Sequence, residues 1–191
     1  MIPTPPPVED LVCVALDYVE RATGIRLDFH EETLPVLDHY AATVRAEGER
    51  NPGLISLIAP ALGAYFGELV RSTFGGFWRV PTPNQHDWAV CLETTFLAFN
   101  PIGVAFDSVA GGNDHEGPRS ALRIAPEDRE YLEQRLEAIP PVPEEEYFLF
   151  STRFEVLQVA VEALRAKMEE EGYGGTEYSA DDYTLDYGSG A

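Results

Sequence analysis

The chain has 191 residues, 45% of them hydrophobic, and 13 Lys+Arg against 33 Asp+Glu give it a formal net charge of −20. That length allows one domain with its own core, or one domain plus a tail. Phosphate binding runs on lysine and arginine, so the balance disfavours direct contact with nucleic acid or anionic membrane; it favours a basic protein partner, whose encounter it would speed.

Lys167 is the single lysine, and with abundant Ala, Gly and Pro the composition suits a GC-rich bacterial genome. Cys13 and Cys91 lie inside the apolar runs LVCVAL and WAVCLE. They read as buried reduced thiols, and two cysteines make no disulfide framework. MIPTPPPVED lacks the basic and apolar regions of a secretory signal, and the longest mostly apolar run, Leu54 to Gly67, falls short of a bilayer. A cytoplasmic chain without membrane insertion is expected.

The proline-rich lead, residues 1–7, precedes a helix in which Val8, Leu11, Val12, Ala15, Leu16 and Val19 share a face up to Gly24. IRLDF alternates briefly, as a short strand or an extended lead-in. A second helix begins around Thr33, where Pro35 sits in the first turn, and carries Leu34, Leu37, Ala41 and Val44 inward. A third runs from about Leu54 to Phe74, with Pro60 marking a kink or the true start, and Gly75-Gly76 stops it. FWRV, WAVCLE and TTFLAF have the β-branched and aromatic content of strands, and the turn PTPNQHD joins the first two. Asn100-Pro101 reads as a helix cap with a first-turn proline, ahead of Ile102, Ala105, Phe106 and Val109. GGNDHEGPRS is a loop. Pro126 opens a helix through Ile139, PPVPEEE is a stiff acidic connector, and a last amphipathic helix runs from about Arg153 to Met168. From Glu169 onward there are seven acids and no base, leaving 26 acids against 13 bases (net −13) in the part before it. The expected fold class is α+β: amphipathic helices on a small, mostly antiparallel sheet of about three strands. The expected organisation is one domain over residues 8–171 and a disordered, acidic, tyrosine-rich tail over 172–191.

The stretch GAYFGELVRSTFGGFW is not a phosphate cradle, because its double glycine follows a helix where a cradle precedes one. Ala59, Gly63 and Gly67 stack four apart and form a smooth stripe that another backbone can approach. Glu68 and Arg71 then read as an exposed i, i+3 ion pair. The alternative makes Glu68, Arg71 and His86 the polar groups of a cleft between the third helix and the strands, in a small enzyme. Trp78 and Trp88 either close the sheet over that helix or, for Trp88, anchor a partner. Asp114-His115-Glu116 offers metal-ligand types in a row, but without the spacing of a metal motif it reads as a solvated loop. No catalytic residue, metal or cofactor is assigned. Tyr173, Tyr178, Tyr183 and Tyr187 recur among the acids of the tail, and with Trp88, Glu144, Glu145 and Glu146 they are the predicted partner contacts.

The helix GAYFGELVRSTFGGFW, the later FNPIGVAFDSV and the closing STRFEVLQVAVEAL together resemble small bacterial α+β domains of unknown function. In these a G-x-Y-x-G-E helix runs into a GG-x-W strand. The resemblance covers roughly residues 25 to 168 and rests on structural positions, so it carries over no catalytic residues; Pro60 and the acidic tail depart from it. It also looks like the acidic single domains that serve as immunity proteins or adaptors in bacterial toxin and secretion clusters. The reading is a non-enzymatic module that captures a basic protein. A small enzyme and a self-associating subunit that uses the Gly/Ala face stand beside it.

Overall fold

The computed structural model describes residues 2–51 and 53–184. Helix α1 spans Pro6–Thr23, with Val8, Val12, Ala15 and Val19 buried, and it ends where Gly24 takes φ 73° and its N–H reaches the Glu20 carbonyl. Helices α2 (Leu34–Gly48) and α3 (Gly53–Phe74) follow. IRLDF joins no strand; it is an irregular lead-in, with Leu27 buried and Phe29, at φ 63°, stacked on Tyr65 at 5.0 Å. Pro60 lies inside α3 and not at its start.

Helix α3 is the centre of the fold. At 22 residues and mean hydropathy 1.6 it is long and apolar enough to cross a membrane, which corrects the shorter span expected from sequence; 67% of that apolar window is buried within the fold. Glycine spacing explains how its neighbours come so close. A Cβ at Gly63 would stand 2.5 Å from Ile102 Cα, and one at Gly67 would stand 2.4 Å from the Trp78 ring and 2.8 Å from Pro101 Cγ. The smooth stripe therefore receives the start of helix α4 (Pro101–Ala110) and the Trp78 indole.

Four strands form an antiparallel sheet in the order β1 (Gly76–Arg79), β2 (Ala89–Leu92), β3 (Leu97–Phe99) and β4 (Arg123–Ile124), one more than the three expected. The extra strand is two residues long, too short for alternation to reveal it. Pairing Trp78 with Val90 and Val90 with Phe99 sets one face against the helices. Phe77, Cys91 and Ala98 pair on the other face. Helices α5 (Arg129–Glu137) and α6 (Phe150–Glu170) complete the helical layer. Asp38 of α2 caps α6, accepting from the Phe150 N–H at 2.6 Å and the Ser151 N–H at 3.3 Å, so one carboxylate fixes where the last helix begins.

The tail expectation is corrected over residues 173–184. Tyr183 is 2% exposed, stacks on Phe96 at 4.7 Å and closes the second face of the sheet with Phe77 and Cys91. Burying one aromatic against an otherwise bare apolar face offsets the ordering of a polar strap. Residues 185–191 lie outside the described residues. Cys91 is buried as expected, whereas Cys13 is exposed on the outer side of α1.

Candidate functional site

The site is built on α4. Asn100 caps that helix, its side-chain oxygen accepting from the Ile102 and Gly103 N–H groups at 3.0 and 3.1 Å. Gly111 at φ 63° ends it and turns the chain back along it. The return is very close: a Cβ at Gly103 would lie 2.7 Å from the Arg119 backbone, and one at Gly117 would lie 2.2 Å from the Phe106 ring. That approach brings His115 and Ser120 onto Asp107, the one acid in the apolar helix PIGVAFDSVA.

Asp107 then collects three donors. His115 Nε2 lies 2.8 Å from Asp107 Oδ1, Ser120 Oγ donates to Oδ2, and Arg153 of α6 donates to Oδ2 at 3.4 Å. The Gly117 N–H donates to His115 Nδ1 at 3.1 Å, so Nδ1 is an acceptor and the ring proton sits on Nε2, facing Asp107. The Arg153 guanidinium lies 4.5 Å above the Tyr147 ring, and its Nε is buried with no acceptor. Beside the cluster opens a cavity of about 970 Å³, floored by apolar residues such as Val104, Leu132 and Leu157, with Arg119, Arg129, Asp114 and Glu133 also on its wall.

The arrangement is not that of an acyl-transfer site. Ser120 donates to the carboxylate and both nitrogens of His115 are engaged, so the serine–imidazole contact of a hydrolytic triad is missing. Among the described residues no group of three His, Cys, Asp or Glu could hold a metal ion. His115 turns inward to Asp107, while Asp114 and Glu116 are exposed, which separates the row of three.

Glu68 and Arg71 form no exposed pair. Their side chains are 13% and 10% exposed, with Arg71 Nε and Nη2 donating to the two Glu68 oxygens at 2.9 and 3.0 Å. The Trp78 indole N–H donates to Glu68 Oε1, and Thr4 Oγ1 donates to Oε2 at 3.0 Å. The carboxylate is thus the knot that ties the lead segment and β1 to α3. His86 is exposed in the turn Gln85–Asp87 and shares no hydrogen bond with either residue, so the cleft Glu68–Arg71–His86 is not assembled.

The predicted contacts divide as sharply. Trp88 is 4% exposed and donates its indole N–H to the Thr82 carbonyl at 2.8 Å, so it belongs to the core and not to a contact surface. Tyr183 is buried likewise, and burial pushes its phenol well above the ordinary value. Tyr178 is half-buried and packs edge-on to Phe96. Tyr173 is 38% exposed and donates to Glu171 at 2.6 Å, which raises its phenol to about 12. Glu144, Glu145 and Glu146 form an exposed single turn, next to Tyr147 at 46% exposure. Tyr187 lies outside the described residues. Asp107, Ser120 and Arg153 escaped the sequence reading; the visible signal was a single carboxylate in a helix otherwise apolar but for Ser108.

No protein-family model, curated protein or solved structure matches the chain.

Proposed function

We propose that this chain is an acidic binding module that captures a basic protein partner, with the turn Glu144–Glu146 and Tyr147 at the centre of the contact. The observation that carries the reading is how the bases are used. Among the described residues, lysine and arginine form ion pairs with Asp17, Glu68, Asp107, Asp128 and Glu171, five of the 32 acids there (33 in the chain, with Asp186 outside the described residues). Other bases are spent on backbone: Arg45 donates to the Ser108 and Val109 carbonyls, and Arg79 to that of Tyr183. The seven other arginines are exposed, but the acids outside such pairs far outnumber them, so carboxylates dominate the surface charge.

An exposed aromatic beside three adjacent glutamates supplies both elements of such a contact, an anchor and a complementary charge. Val142, 39% exposed, precedes the turn in the same connector. An immunity protein or a secretion adaptor, acting in the cytoplasm, is the most specific form of this reading. The test is retention from a native lysate at low salt, followed by a salt gradient, with the triple variant E144Q/E145Q/E146Q alongside. A basic protein released by salt and lost from the triple variant is expected. Retention that ignores salt, or a partner equally held by the variant, overturns the assignment of this turn.

A further inference from the structure

The polar groups beside the cavity at Asp107 are spent on one another. Asp107 Oδ1 lies 2.8 Å from His115 Nε2, and Oδ2 accepts from Ser120 and from Arg153 Nη2. His115 Nδ1 accepts from the Gly117 N–H, and the Arg153 guanidinium is stacked on Tyr147. What remains for an occupant is an apolar floor of Val104, Leu132 and Leu157 in a volume of about 970 Å³. Such a site recognises its occupant by apolar burial.

The surroundings of the cavity say which apolar group it takes. Tyr147 belongs both to the cavity wall and to the exposed patch it forms with Glu144–Glu146, so the cavity reaches the residue next to three adjacent carboxylates. On the wall itself Arg119 and Arg129 balance Asp114 and Glu133, so the preference for positive charge comes from the turn. We propose that the cavity seats an apolar anchor of the basic partner. The anchor is one or two apolar side chains that pass Tyr147 onto Leu132 and Leu157, while flanking lysines or arginines stay outside on Glu144–Glu146. The inference rests on the capture reading given above and adds to it the apolar half of the contact. Exposed charge pairs contribute little each and are screened by salt, whereas burial of one apolar side chain strengthens binding by about tenfold or more.

The probes are capped peptides titrated into the full chain at low salt: Lys-Lys-Phe-Leu-Lys-Lys, its serine analogue Lys-Lys-Ser-Ser-Lys-Lys, and Glu-Glu-Phe-Leu-Glu-Glu. The first is expected to bind about tenfold more tightly than its serine analogue, and the acidic peptide more weakly than either. The phenylalanine ring of the first should show NMR contacts to the Leu132 and Leu157 methyl groups. Ala121→Trp, placed on the exposed part of the wall, should bring the first peptide down to the level of the second. If the two basic peptides bind alike and both weaken with E144Q/E145Q/E146Q, the turn captures bases without an anchor; the proposal is overturned and the capture reading stands. If the first peptide reaches Leu132 and Leu157 but binds the triple variant undiminished, or the acidic peptide binds as well, the capture reading fails and the basic anchor fails with it. No binding of either basic peptide overturns both. Should Ala121→Trp fail to fold, the wild-type contacts decide: a saturating first peptide that leaves the Leu132 and Leu157 methyl groups untouched is not seated in the cavity, and the proposal is overturned.

Discussion

The Tyr183 hydroxyl donates to the Leu92 carbonyl at 2.7 Å and accepts from the Leu97 N–H at 3.0 Å, across about ninety residues of chain. One phenol thereby satisfies both sides of the β2–β3 turn while its ring covers Cys91. Replacing Tyr183 by Phe keeps the ring but strands buried backbone groups, a loss of about 1–3 kcal/mol. Urea unfolding of the variant measures it, and an unchanged midpoint would show that the strap does not hold the sheet.

The same strap governs thiol chemistry. Burial pushes the Cys91 thiol up to about 12, while Cys13 is exposed. A thiolate is the reactive form, so the native chain should react rapidly with Ellman's reagent at Cys13 alone. Truncation after Gly172 removes the cover and should make Cys91 reactive as well. Two fast thiols in the intact chain would contradict the packing.

Glu68 joins Thr4, Arg71 and Trp78 in one half-enclosed set. Glu68→Ala leaves an arginine and an indole N–H without their acceptor, and removing one partner of a buried pair costs about 3–5 kcal/mol when burial is complete. With side chains 10–13% exposed, solvent screening lowers the expectation to about 2–3 kcal/mol. Denaturant titration followed by tryptophan fluorescence reads it directly, since Trp78 is one of the stranded partners.

Gly67→Ala is a small change with a large expected consequence. Its methyl would lie 2.4 Å from the Trp78 ring and 2.8 Å from Pro101, in a packed interior. Overpacking of this kind costs about 1–3 kcal/mol, seen as a lower melting temperature. Gly175→Ala is the matched control: nothing lies within 4 Å of a Cβ there, and its φ is outside the left-handed region. Equal effects from the two would refute the close approach of Trp78 to α3.

Asp38 should give stability a characteristic pH dependence. Burial raises its pKa above the ordinary 3.8, against the Ser151 and Phe150 donors that lower it. The folded state therefore keeps this proton to higher pH than the unfolded chain does. The associated stability is complete below 3.8 and is lost as pH rises through the raised folded value. Asp38→Asn cannot ionise, so the stability of wild type relative to this variant should fall as pH increases across that window. Urea midpoints from about pH 3 to pH 7 test the sign. A difference that grows with pH would mean that the capping bonds to Phe150 and Ser151 outweigh burial.

Local rules carried most of the fold. The cap at Asn100, the stop at Gly24 and the inward face of α1 are short-range patterns, and the Ala59–Gly63–Gly67 stripe announced a close neighbour without naming it. What the pattern could not show was which partner fills a given face. Trp88 and Tyr183 look alike in sequence to exposed anchors, because alternation reveals that a strand has two faces and not whether a distant segment covers the second. The cluster at Asp107 was hidden for a related reason. His115, Ser120 and Arg153 lie 8, 13 and 46 residues away, brought in by a loop that folds tightly over glycines and by a separate helix. His115 drew attention only for its sequence neighbours, which point elsewhere.

The central claim is that unpaired carboxylates, with Glu144–Glu146 foremost, hold a basic protein. The most direct measurement is the affinity of the captured partner at a series of salt concentrations, for wild type and for E144Q/E145Q/E146Q. The account predicts an affinity that falls steeply with salt in the wild type and less steeply in the variant, with the two converging at high salt as charge is screened. Identical salt dependence in the two proteins, or an affinity that salt does not change, would contradict it.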